Sequence, residues 1–370
     1  MVICSPQLGL SPKSVLGGEV FDRQILLSLA KKGIRVHIIL PYGAAHDSNV
    51  KNWRFTQMHF AHLPAILFNL IELPYLISVF NKEPFQILRI HQPQFLGIGA
   101  LVFKFINKKV KLVVTYHKFE ETNFLFFSNY VNQKWDHIIC DSENVKRKII
   151  NKYNIAENKV TVVHNGVPNY LKPAPKDKNL LRKYKLENKT VLLFMGLFID
   201  RKNPLHLIDV LEELVKKYPD IVQIFWGTGP LKSKILEKAK SKNLSSNIRF
   251  IEPVYGQEKS KIHNLADIFV HSSIDEGFSL APLEAMACAK PVIMTKGFSA
   301  EEAVENGITG FVCKQNNVKD WVNKISFFLD YPQKQIQFGK ESFKKAKKEY
   351  RWDVATSTHV QVFKRLIKDQ

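Results

Sequence analysis

Short apolar runs alternate with amphipathic stretches along the first half of the chain. The runs have the length of buried strands, and the stretches between them repeat apolar residues at helical spacing. The predicted strands are residues 36–40, 87–90, 112–115, 137–140 and 160–163, and the predicted helices are 18–31, 95–105 and 143–152. Such alternation indicates a parallel sheet with helices on both faces.

The pattern is interrupted between residues 170 and 190, which are rich in lysine, contain Pro173 and Pro175 and have few apolar pairs. It resumes with predicted strands at 191–195, 221–226, 248–251, 268–270, 292–294 and 310–312, again separated by helices, and ends with predicted helices at 340–348 and 353–368. Because 370 residues exceed one ordinary core, we expect two doubly wound α/β domains that bind ligands at the carboxyl ends of their strands.

Residues 276–287, with the sequence EGFSLAPLEAMA, are the most informative segment for function. They follow a predicted strand, and a helix is predicted to begin near Ala281. Gly277 would allow a ligand close to the backbone, and the free N–H groups of a helix start favour a phosphate. Glu276 and Glu284 flank this position as acceptors for hydroxyl groups, which suits a nucleotide sugar. The alternative is a helix with one solvated and one capping glutamate.

Four further points at predicted strand–helix junctions could carry chemistry. They are Gly17 with Gly18 before a helix, His117 after a strand, Arg201 with Lys202 at a helix start, and Gly227 with Gly229 at a turn. A helix start disfavours cations, so Arg201 and Lys202 suggest a bound anion such as a diphosphate. A histidine at a strand end can hydrogen-bond a sugar or accept a proton. The alternative for each point is a purely structural role, and for the two cations a solvated basic turn.

The chain is strongly basic, with a formal net charge of +20 and a pI near 9.6. An anionic partner would explain this charge, whether a phosphorylated substrate, an acidic membrane surface or nucleic acid. A lysine-rich solvated surface is the other explanation. No zinc knuckle or RNP1 string accompanies the charge, so nucleic acid is the least favoured of these partners.

Cysteine usage and apolar segments bear on the compartment. Cys4, Cys140, Cys288 and Cys313 are scattered without a C-x-x-C pair, which argues against a disulfide framework or a zinc site and fits a reducing compartment. The N-terminus resembles the start of a strand and not a secretion signal. The most apolar segment, residues 63–80, contains two prolines, an asparagine and a glutamate, which suits a surface helix better than a membrane span. We therefore expect a cytoplasmic protein, either soluble or peripheral on the cytoplasmic face of a membrane.

Taken together and in this order, the residues resemble the GT-B glycosyltransferases of family 4, the group 1 nucleotide-sugar transferases. The resemblance spans almost the whole chain, and its most specific part is the segment that contains Glu276 and Glu284. The matching pieces are Gly17-Gly18, His117, Asn165-Gly166-Val167, Arg201-Lys202-Asn203-Pro204, Gly227-x-Gly229-Pro230 and Glu276-Gly277-Phe278 with Glu284-Ala285-Met286-Ala287.

The resemblance implies an α/β fold of the GT-B type, in which two Rossmann-like domains face each other across a cleft. Residues 1–170 would form the acceptor domain, 171–189 a linker and 190–350 the domain that binds the nucleotide sugar. Residues 351–370 would form a helix that crosses back to the first domain.

The resemblance also implies the site residues. Those that bind the donor would be Gly17, Gly18, Gly196, Arg201, Lys202, Gly227, Gly229, Pro253, Glu276, Gly277, Phe278, Ser279, Leu280 and Glu284. The catalytic set would be His117, Glu276, Arg201 and Lys202. Glu284 would hold the ribose hydroxyls, Glu276 the hydroxyls of the transferred sugar, and the two cations the diphosphate. His117 would lie beside the sugar and the acceptor.

The implied reaction moves a hexose from a uridine or guanosine diphosphate sugar to a hydroxyl acceptor, with retention at the anomeric carbon and without a metal or other cofactor. Preorganised cations would stabilise the charge that develops on the leaving diphosphate, and that phosphate could take the acceptor's proton. The sequence contains no Asp-x-Asp pair for a metal. The basic surface and the apolar stretches 63–80 and 123–127 suggest a glycan or lipid-linked acceptor and a peripheral contact with an anionic membrane.

Three positions depart from the family pattern, and three rival functions remain. Leu197 stands where an arginine is common, Glu252-Pro253 where a glycine usually contacts the base, and Ser279 where a glycine often follows. The rivals are a nucleotide-sugar epimerase or a phosphorylase on the same fold, and a non-catalytic paralogue that binds a nucleotide. The presence of both Glu276 and the cation pair favours the transferase.

Overall fold

The fold is taken from a computed structural model of the chain, which describes residues 1–14, 16–60, 67–297 and 299–368. The chain splits into two compact units. Unit 1 contains Met1–Gly166 together with the C-terminal residues from Trp352 onward, and unit 2 contains Val167–Arg351. Both are α/β units with wholly parallel sheets, as the alternation of apolar runs and amphipathic stretches predicted.

Unit 1 is built on seven strands: β1 (Val2–Pro6), β2 (Arg35–Leu40), β3 (Trp53–Gln57), β4 (Ile87–His91), β5 (Lys111–Tyr116), β6 (His137–Cys140) and β7 (Val160–Val162). Their order in the sheet is β3-β2-β1-β4-β5-β6-β7. The helices are α1 (Gly17–Lys31), α2 (Phe68–Lys82), α3 (Pro93–Ile106), α4 (Ser128–Gln133), α5 (Glu143–Tyr153) and α14 (Trp352–Lys368). The last helix packs on α1, where the Phe21 ring lies 5.9 Å from Trp352 and 6.0 Å from His359. The chain therefore returns to unit 1, as the resemblance implied.

Unit 2 is built on six strands: β8 (Thr190–Met195), β9 (Ile221–Trp226), β10 (Ile248–Ile251), β11 (Ile268–His271), β12 (Val292–Thr295) and β13 (Gly310–Cys313). Their order is β10-β9-β8-β11-β12-β13. The helices are α6 (Lys178–Lys183), α7 (Pro204–Val215), α8 (Lys232–Ser241), α9 (Glu258–Leu265), α10 (Leu280–Ala287), α11 (Ala300–Ala303), α12 (Val318–Asp330) and α13 (Pro332–Glu349). Residues 171–189 lie in this unit, where Leu171 and Leu186 are buried.

Each sheet reverses its strand order at one place, between β1 and β4 in unit 1 and between β8 and β11 in unit 2. The loops that leave these two neighbouring strands run to opposite faces of the sheet and open a crevice at its carboxyl edge. Ligands of open α/β sheets bind in that crevice. The loops to consider are therefore those after β1, β4, β8 and β11.

The apolar runs predicted most strands to within two residues because helices cover both faces of a parallel sheet. Strand β3 was not predicted. It lies at the edge of the sheet and alternates apolar Trp53 and Phe55 with Arg54 and Thr56, so it has no continuous apolar run. In the apolar segment 63–80, residues 63–66 lie outside the described residues, Leu67 precedes α2, and residues 68–80 belong to it.

Candidate active site

The loops after β8 and β11 of unit 2 are joined by hydrogen bonds. Arg201 and Lys202 lie on a single 3-10 turn, Asp200–Lys202, just before α7. The Ile274 N–H donates to the Arg201 carbonyl at 2.8 Å, and the Ser272 hydroxyl donates to the Lys202 carbonyl at 3.0 Å. These bonds hold the two cationic residues against the loop that carries Glu276.

The side chains of this loop pair also meet. The Lys202 ammonium forms an ion pair with one carboxylate oxygen of Glu276, and the Arg201 guanidinium lies 3.5 Å from the other. The Ser273 hydroxyl donates to Glu276 Oε1 at 2.9 Å. The side chains of Lys202 and Glu276 are nearly buried, whereas that of Arg201 is 39% exposed. The structure thus brings three of the four predicted catalytic residues together, with Arg201 on the solvent side.

His271 ends β11 directly beneath this cluster, and the sequence analysis did not single it out. The ring is buried, its Nε2 lies 3.8 Å from Glu276 Oε1, and neither ring nitrogen has a hydrogen-bond partner among the described residues. Burial, and then the charges of Lys202 and Arg201, hold the pKa of His271 well below its usual value, so the ring is neutral. His271 could have been predicted from its position at the end of a strand, which is the feature that singled out His117.

The segment 277–280 leads from this cluster into α10. The Ser299 hydroxyl donates to the Gly277 carbonyl, and the buried Phe278 ring packs 5.6 Å from Tyr350. Ser279 is the residue before the helix, and Leu280 is its first residue. The first N–H groups of a helix have no intrahelical partner, so α10 directs its amides toward the end of the sheet where Glu276 lies.

Glu284 lies one turn inside α10 and is almost fully buried. One carboxylate oxygen forms an ion pair with Lys259 of α9, and the other lies 3.3 Å from His263 Nε2. Burial alone would raise the pKa of Glu284, but Lys259 and His263 more than offset it and hold the pKa below its usual value. The carboxylate is therefore ionised, with one oxygen paired with Lys259 and the other close to His263.

Close packing between the loops after β8 and β9 explains why glycine occupies positions in them. A Cβ on Gly227 would lie 2.0 Å from the Gly196 carbonyl oxygen, and one on Gly229 would lie 2.6 Å from the Phe198 nitrogen. The Phe198 N–H donates to the Thr228 carbonyl at 2.8 Å. The small residues at 227 and 229 thus let the two loops pack backbone against backbone. Pro253, two residues beyond the end of β10, is partly buried.

In unit 1, α1 begins at the point where the sheet reverses. A Cβ on Gly17 would meet nothing within 4 Å. One on Gly18 would lie 3.4 Å from His117 Cδ2 and 3.6 Å from His91 Nε2. The backbone of Gly18 therefore faces two histidine rings, one after β5 and one at the end of β4.

His117 is held by two acidic residues. Its Nδ1 lies 3.5 Å from Asp141 Oδ2, and its backbone N–H donates to Glu121 Oε2 at 2.7 Å. The Phe21 ring packs edge-on against the imidazole at 4.9 Å. Burial alone would lower the pKa of His117, but Asp141 and Glu121 raise it above its usual value. A protonated ring that donates through Nδ1 to Asp141 keeps Nε2–H as a second donor.

A buried ion pair lies behind the two histidines. Arg89 of β4 and Asp22 of α1 are fully buried and pair with each other, and Asp22 Oδ1 lies 3.3 Å from His91 Nδ1. Burial alone would raise the pKa of Asp22, but Arg89 and His91 lower it to about 2. The contact between Asp22 and His91 Nδ1 is electrostatic, since no hydrogen bond joins these two side chains in the structure. His91 Nδ1 lies 3.4 Å from His117 Nε2, and burial lowers the pKa of His91 to about 3, so the neutral His91 ring can accept the Nε2 proton of a charged His117.

Comparison with known proteins identifies the family. The sequence model described as "Glycosyl transferases group 1" matches residues 176–345, and the one described as "Glycosyltransferase Family 4" matches residues 15–169. The two models together cover most of both units, including the Glu276 cluster and the His117 cluster. The chain belongs to the group 1, family 4 glycosyltransferases.

Two curated relatives show how far the sequence of this chain diverges from those of other glycosyltransferases. An uncharacterized glycosyltransferase of Methanocaldococcus jannaschii is 28% identical over 62% of this chain and 59% of that protein. A D-inositol 3-phosphate glycosyltransferase 2 of Catenulispora acidiphila is 26% identical over 68% of this chain and 61% of that protein. The alignment thus spans about three fifths of the length of these relatives.

A solved structure shows the same glycosyltransferase fold over the full chain. HepE of Anabaena, in complex with UDP-glucose, superposes with a TM-score of 0.79 and 17% identity, over 99% of this chain and 100% of that one. The α/β architecture of the GT-B type, expected from the resemblance, is therefore confirmed.

Two features are absent from the described parts of the chain. Among residues 1–14, 16–60, 67–297 and 299–368, no group of three or more His, Cys, Asp or Glu side chains is arranged to hold a metal ion. Over the same residues, no helix is both long and apolar enough to cross a membrane.

Proposed function

We propose that the protein is a retaining, metal-independent hexosyltransferase that uses a nucleotide diphosphate sugar. The observation that carries the proposal is the convergence of Lys202 and Arg201 on Glu276 where β8 and β11 diverge. A sugar diphosphate needs cations for its phosphates and an acceptor for its hydroxyl groups. The Glu276 cluster offers both within a few ångström, next to the start of α10.

The donor is a uridine or guanosine diphosphate sugar in this proposal. Its diphosphate lies between Arg201, Lys202 and the amides that open α10, and Glu276 accepts hydrogen bonds from the transferred hexose. Glu284, ionised and one turn further along the helix, accepts from the ribose hydroxyls. The complex of HepE with UDP-glucose supports this choice of donor, since the folds match over their whole length.

The chemical step needs little beyond charge stabilisation. The bond from the anomeric carbon to the diphosphate breaks, a bond to the acceptor oxygen forms on the same face, and the acceptor's proton passes to the departing phosphate. Lys202 and Arg201 stabilise the negative charge that builds on the diphosphate. His117 of unit 1 hydrogen-bonds the sugar or the acceptor, which then replaces His91 as the partner of Nε2. No cofactor or metal takes part, so EDTA should leave turnover intact, and a large loss would contradict metal independence.

The acceptor is proposed to be a hydroxyl of a glycan or a lipid-linked precursor, reached from the cytoplasm through a peripheral contact with an anionic membrane. Nucleic acid is not among the proposed partners. The positive net charge of +20 supports an anionic surface as partner.

A thermal-shift screen against UDP, GDP, ADP and their common sugar conjugates tests the proposal. A nucleotide at about a hundred times its dissociation constant should stabilise the protein by about 2.7 kcal/mol, a measurable shift. Lys202→Gln should abolish the shift. The matched control is Lys216→Gln, because Lys216 is an exposed lysine of the same unit whose partner is Glu213. Absence of a shift with every nucleotide, or an equal loss in both variants, would overturn the donor site.

A further inference from the structure

One face of α3 is apolar and open to solvent. Ile98, Val102 and Phe105 follow one another at spacings of four and three, which places them on the same face of the helix. All three are exposed, Phe105 to 80%. The opposite face carries Ala100 and Phe103, which are buried in the core of unit 1. The exposed residues therefore do not contribute to the packing of the helix on the core.

A second apolar surface is the loop formed by Leu125, Phe126 and Phe127, here called the aromatic loop. All three side chains are exposed, Phe126 to 99%. The loop has a defined shape, because the Ser128 hydroxyl accepts from the Phe124 N–H at 2.7 Å and donates to the Leu125 carbonyl at 2.8 Å. Leu125 itself has a φ of 54°, a conformation that costs energy for a leucine. The turn therefore projects its aromatic side chains outward.

The aromatic loop lies beside the first turns of α3. The Gln94 amide at the start of the helix donates to the Glu120 carbonyl at 2.6 Å, just before the loop. A Cβ on Gly97 would lie 3.0 Å from the Trp135 ring, which in turn lies 6.4 Å from Phe124. The aromatic loop therefore lies next to the first turns of α3, ahead of Ile98, and Phe105 lies at the other end of the same helix.

The segment that carries this surface is rich in lysine. Between Ile98 and Lys134 the sequence has two acidic residues, Glu120 and Glu121, and the latter accepts from the His117 N–H. The lysines of the same segment are Lys104, which pairs with Asp136, and Lys108, Lys109, Lys111, Lys118 and Lys134. The segment thus combines protruding apolar groups with an excess of cations.

We propose that the exposed face of α3 and the aromatic loop dock on the surface of an anionic lipid bilayer. Clustered exposed apolar residues mark an interaction surface, and phenylalanines flanked by lysines fit the boundary between acyl chains and negative headgroups. The occupant is a bilayer and not a protein, because Phe126 projects from a convex turn instead of lining a groove. Docking on the bilayer would bring the enzyme to the lipid-linked acceptor, and this part of the proposal rests on the proposed function.

Vesicle flotation of the full chain tests the proposal. The protein should float with vesicles made of equal parts phosphatidylglycerol and phosphatidylcholine and should remain behind with phosphatidylcholine alone. The variants are Phe126→Ser and Phe105→Ser, each of which should lower the partition coefficient about tenfold, the value of one buried phenylalanine. The control is Ile336→Ser, since Ile336 is exposed to 50% but lies in unit 2.

Three outcomes would overturn the proposal: no flotation, the same binding in the Phe126→Ser variant, or an equal loss in the Ile336→Ser control. So would a wild-type dimer on gel filtration that Phe126→Ser converts to a monomer, because the surface would then bind a second copy. The shift with UDP or GDP is measured on the same samples. Lost flotation with an intact nucleotide shift refutes the membrane surface alone, and lost nucleotide binding with intact flotation refutes the donor site alone.

Discussion

Lys202 and Glu276 form an ion pair across a separation of 74 positions in the sequence. The pair joins the loops that leave β8 and β11, the two strands at which the sheet of unit 2 reverses its order. The position of the pair has a consequence for binding, because the ammonium group that neutralises Glu276 is the one proposed to bind a diphosphate. A nucleotide that lacks its sugar would therefore compete with Glu276 for Lys202 and Arg201.

The variant Glu276→Gln should separate binding from turnover. Loss of the negative charge leaves Lys202 and Arg201 for the phosphates, so the affinity for UDP or GDP should rise by about tenfold, or about 1.4 kcal/mol. Turnover should fall by about tenfold to a hundredfold, because a charge-assisted hydrogen bond to the hexose is lost. Calorimetry and initial rates measure the two effects. Glu213→Gln is the control, since Glu213 is an exposed partner of Lys216, and weaker nucleotide binding in Glu276→Gln would refute the competition.

The protonation of His117 should govern the pH dependence of donor binding or turnover. Asp141 and Glu121 raise the pKa of His117 above its usual value of 6.5, so the ring is charged below that raised pKa and loses its charge as the pH rises through it. We expect the second-order rate constant kcat/KM to fall over that interval, because the neutral ring no longer donates through both nitrogens. A rate profile between about pH 5 and about pH 9 covers it.

The variant Asp141→Asn supplies the control for this profile. The largest influence on the pKa of His117 is burial, which lowers it, and the hydrogen bond with Asp141 is the largest that raises it. Removal of the charge on Asp141 should therefore move the fall in rate to lower pH, whereas His117→Gln should remove that limb. An unchanged profile in His117→Gln would exclude this histidine as the titrating group.

The Asp22–Arg89 pair should make unit 1 sensitive to acid. The pKa of Asp22 lies at about 2 in the folded state against an ordinary 3.8, so its contribution of about 2 kcal/mol is present above pH 3.8 and disappears as the pH falls toward about 2. Asp22→Asn leaves Arg89 buried without a charge partner and should lower the free energy of unfolding by about 3 kcal/mol at neutral pH. Urea unfolding measures both effects. Asp220→Asn, which removes an exposed partner of Lys189, should cost less than about 1 kcal/mol, and equal costs would contradict the buried pair.

The fold and part of the candidate site could be predicted from the sequence, for different physical reasons. Strands covered on both faces are continuous apolar runs, and such runs can be recognised without knowing what they pack against. Glu276, Arg201 and Lys202 were found because they lie at strand–helix junctions. Their mutual contact depends on which strands become neighbours, and the order of strands in the sheet is not written in any local pattern.

Two of the residues that were missed are polar groups inside strands. Arg89 occupies the middle of Ile87–His91, where it interrupts an apolar run, and His271 ends another. An arginine at such a position needs a buried partner, and this requirement was a usable signal. The identity of the partner was not available, because Asp22 lies on α1, which follows a different strand. The role of Gly227 and Gly229 could not be predicted from the sequence either. A glycine is favoured wherever the backbone approaches another group closely, whether that group is a ligand or another stretch of backbone.

Two glycine substitutions should behave in opposite ways. In Gly229→Ala the new Cβ would lie 2.6 Å from both the nitrogen and the oxygen of Phe198, so the β8 or β9 loop must move. We expect the free energy of unfolding to fall by about 1–3 kcal/mol. In Gly17→Ala the Cβ meets nothing within 4 Å, and alanine favours a helix over glycine by about 0.5–1 kcal/mol, so stability should hold or rise.

Donor binding then distinguishes the roles of these two positions. If a phosphate approaches the start of α1, as the family resemblance implies, Gly17→Ala should weaken the binding of the nucleotide sugar while the protein remains at least as stable as the wild type. A stable Gly17→Ala variant with unchanged affinity would show that the donor does not approach this glycine. A Gly229→Ala variant as stable as the wild type would show that packing against Phe198 does not require a glycine. Close approach of a ligand would then be the remaining explanation for Gly229.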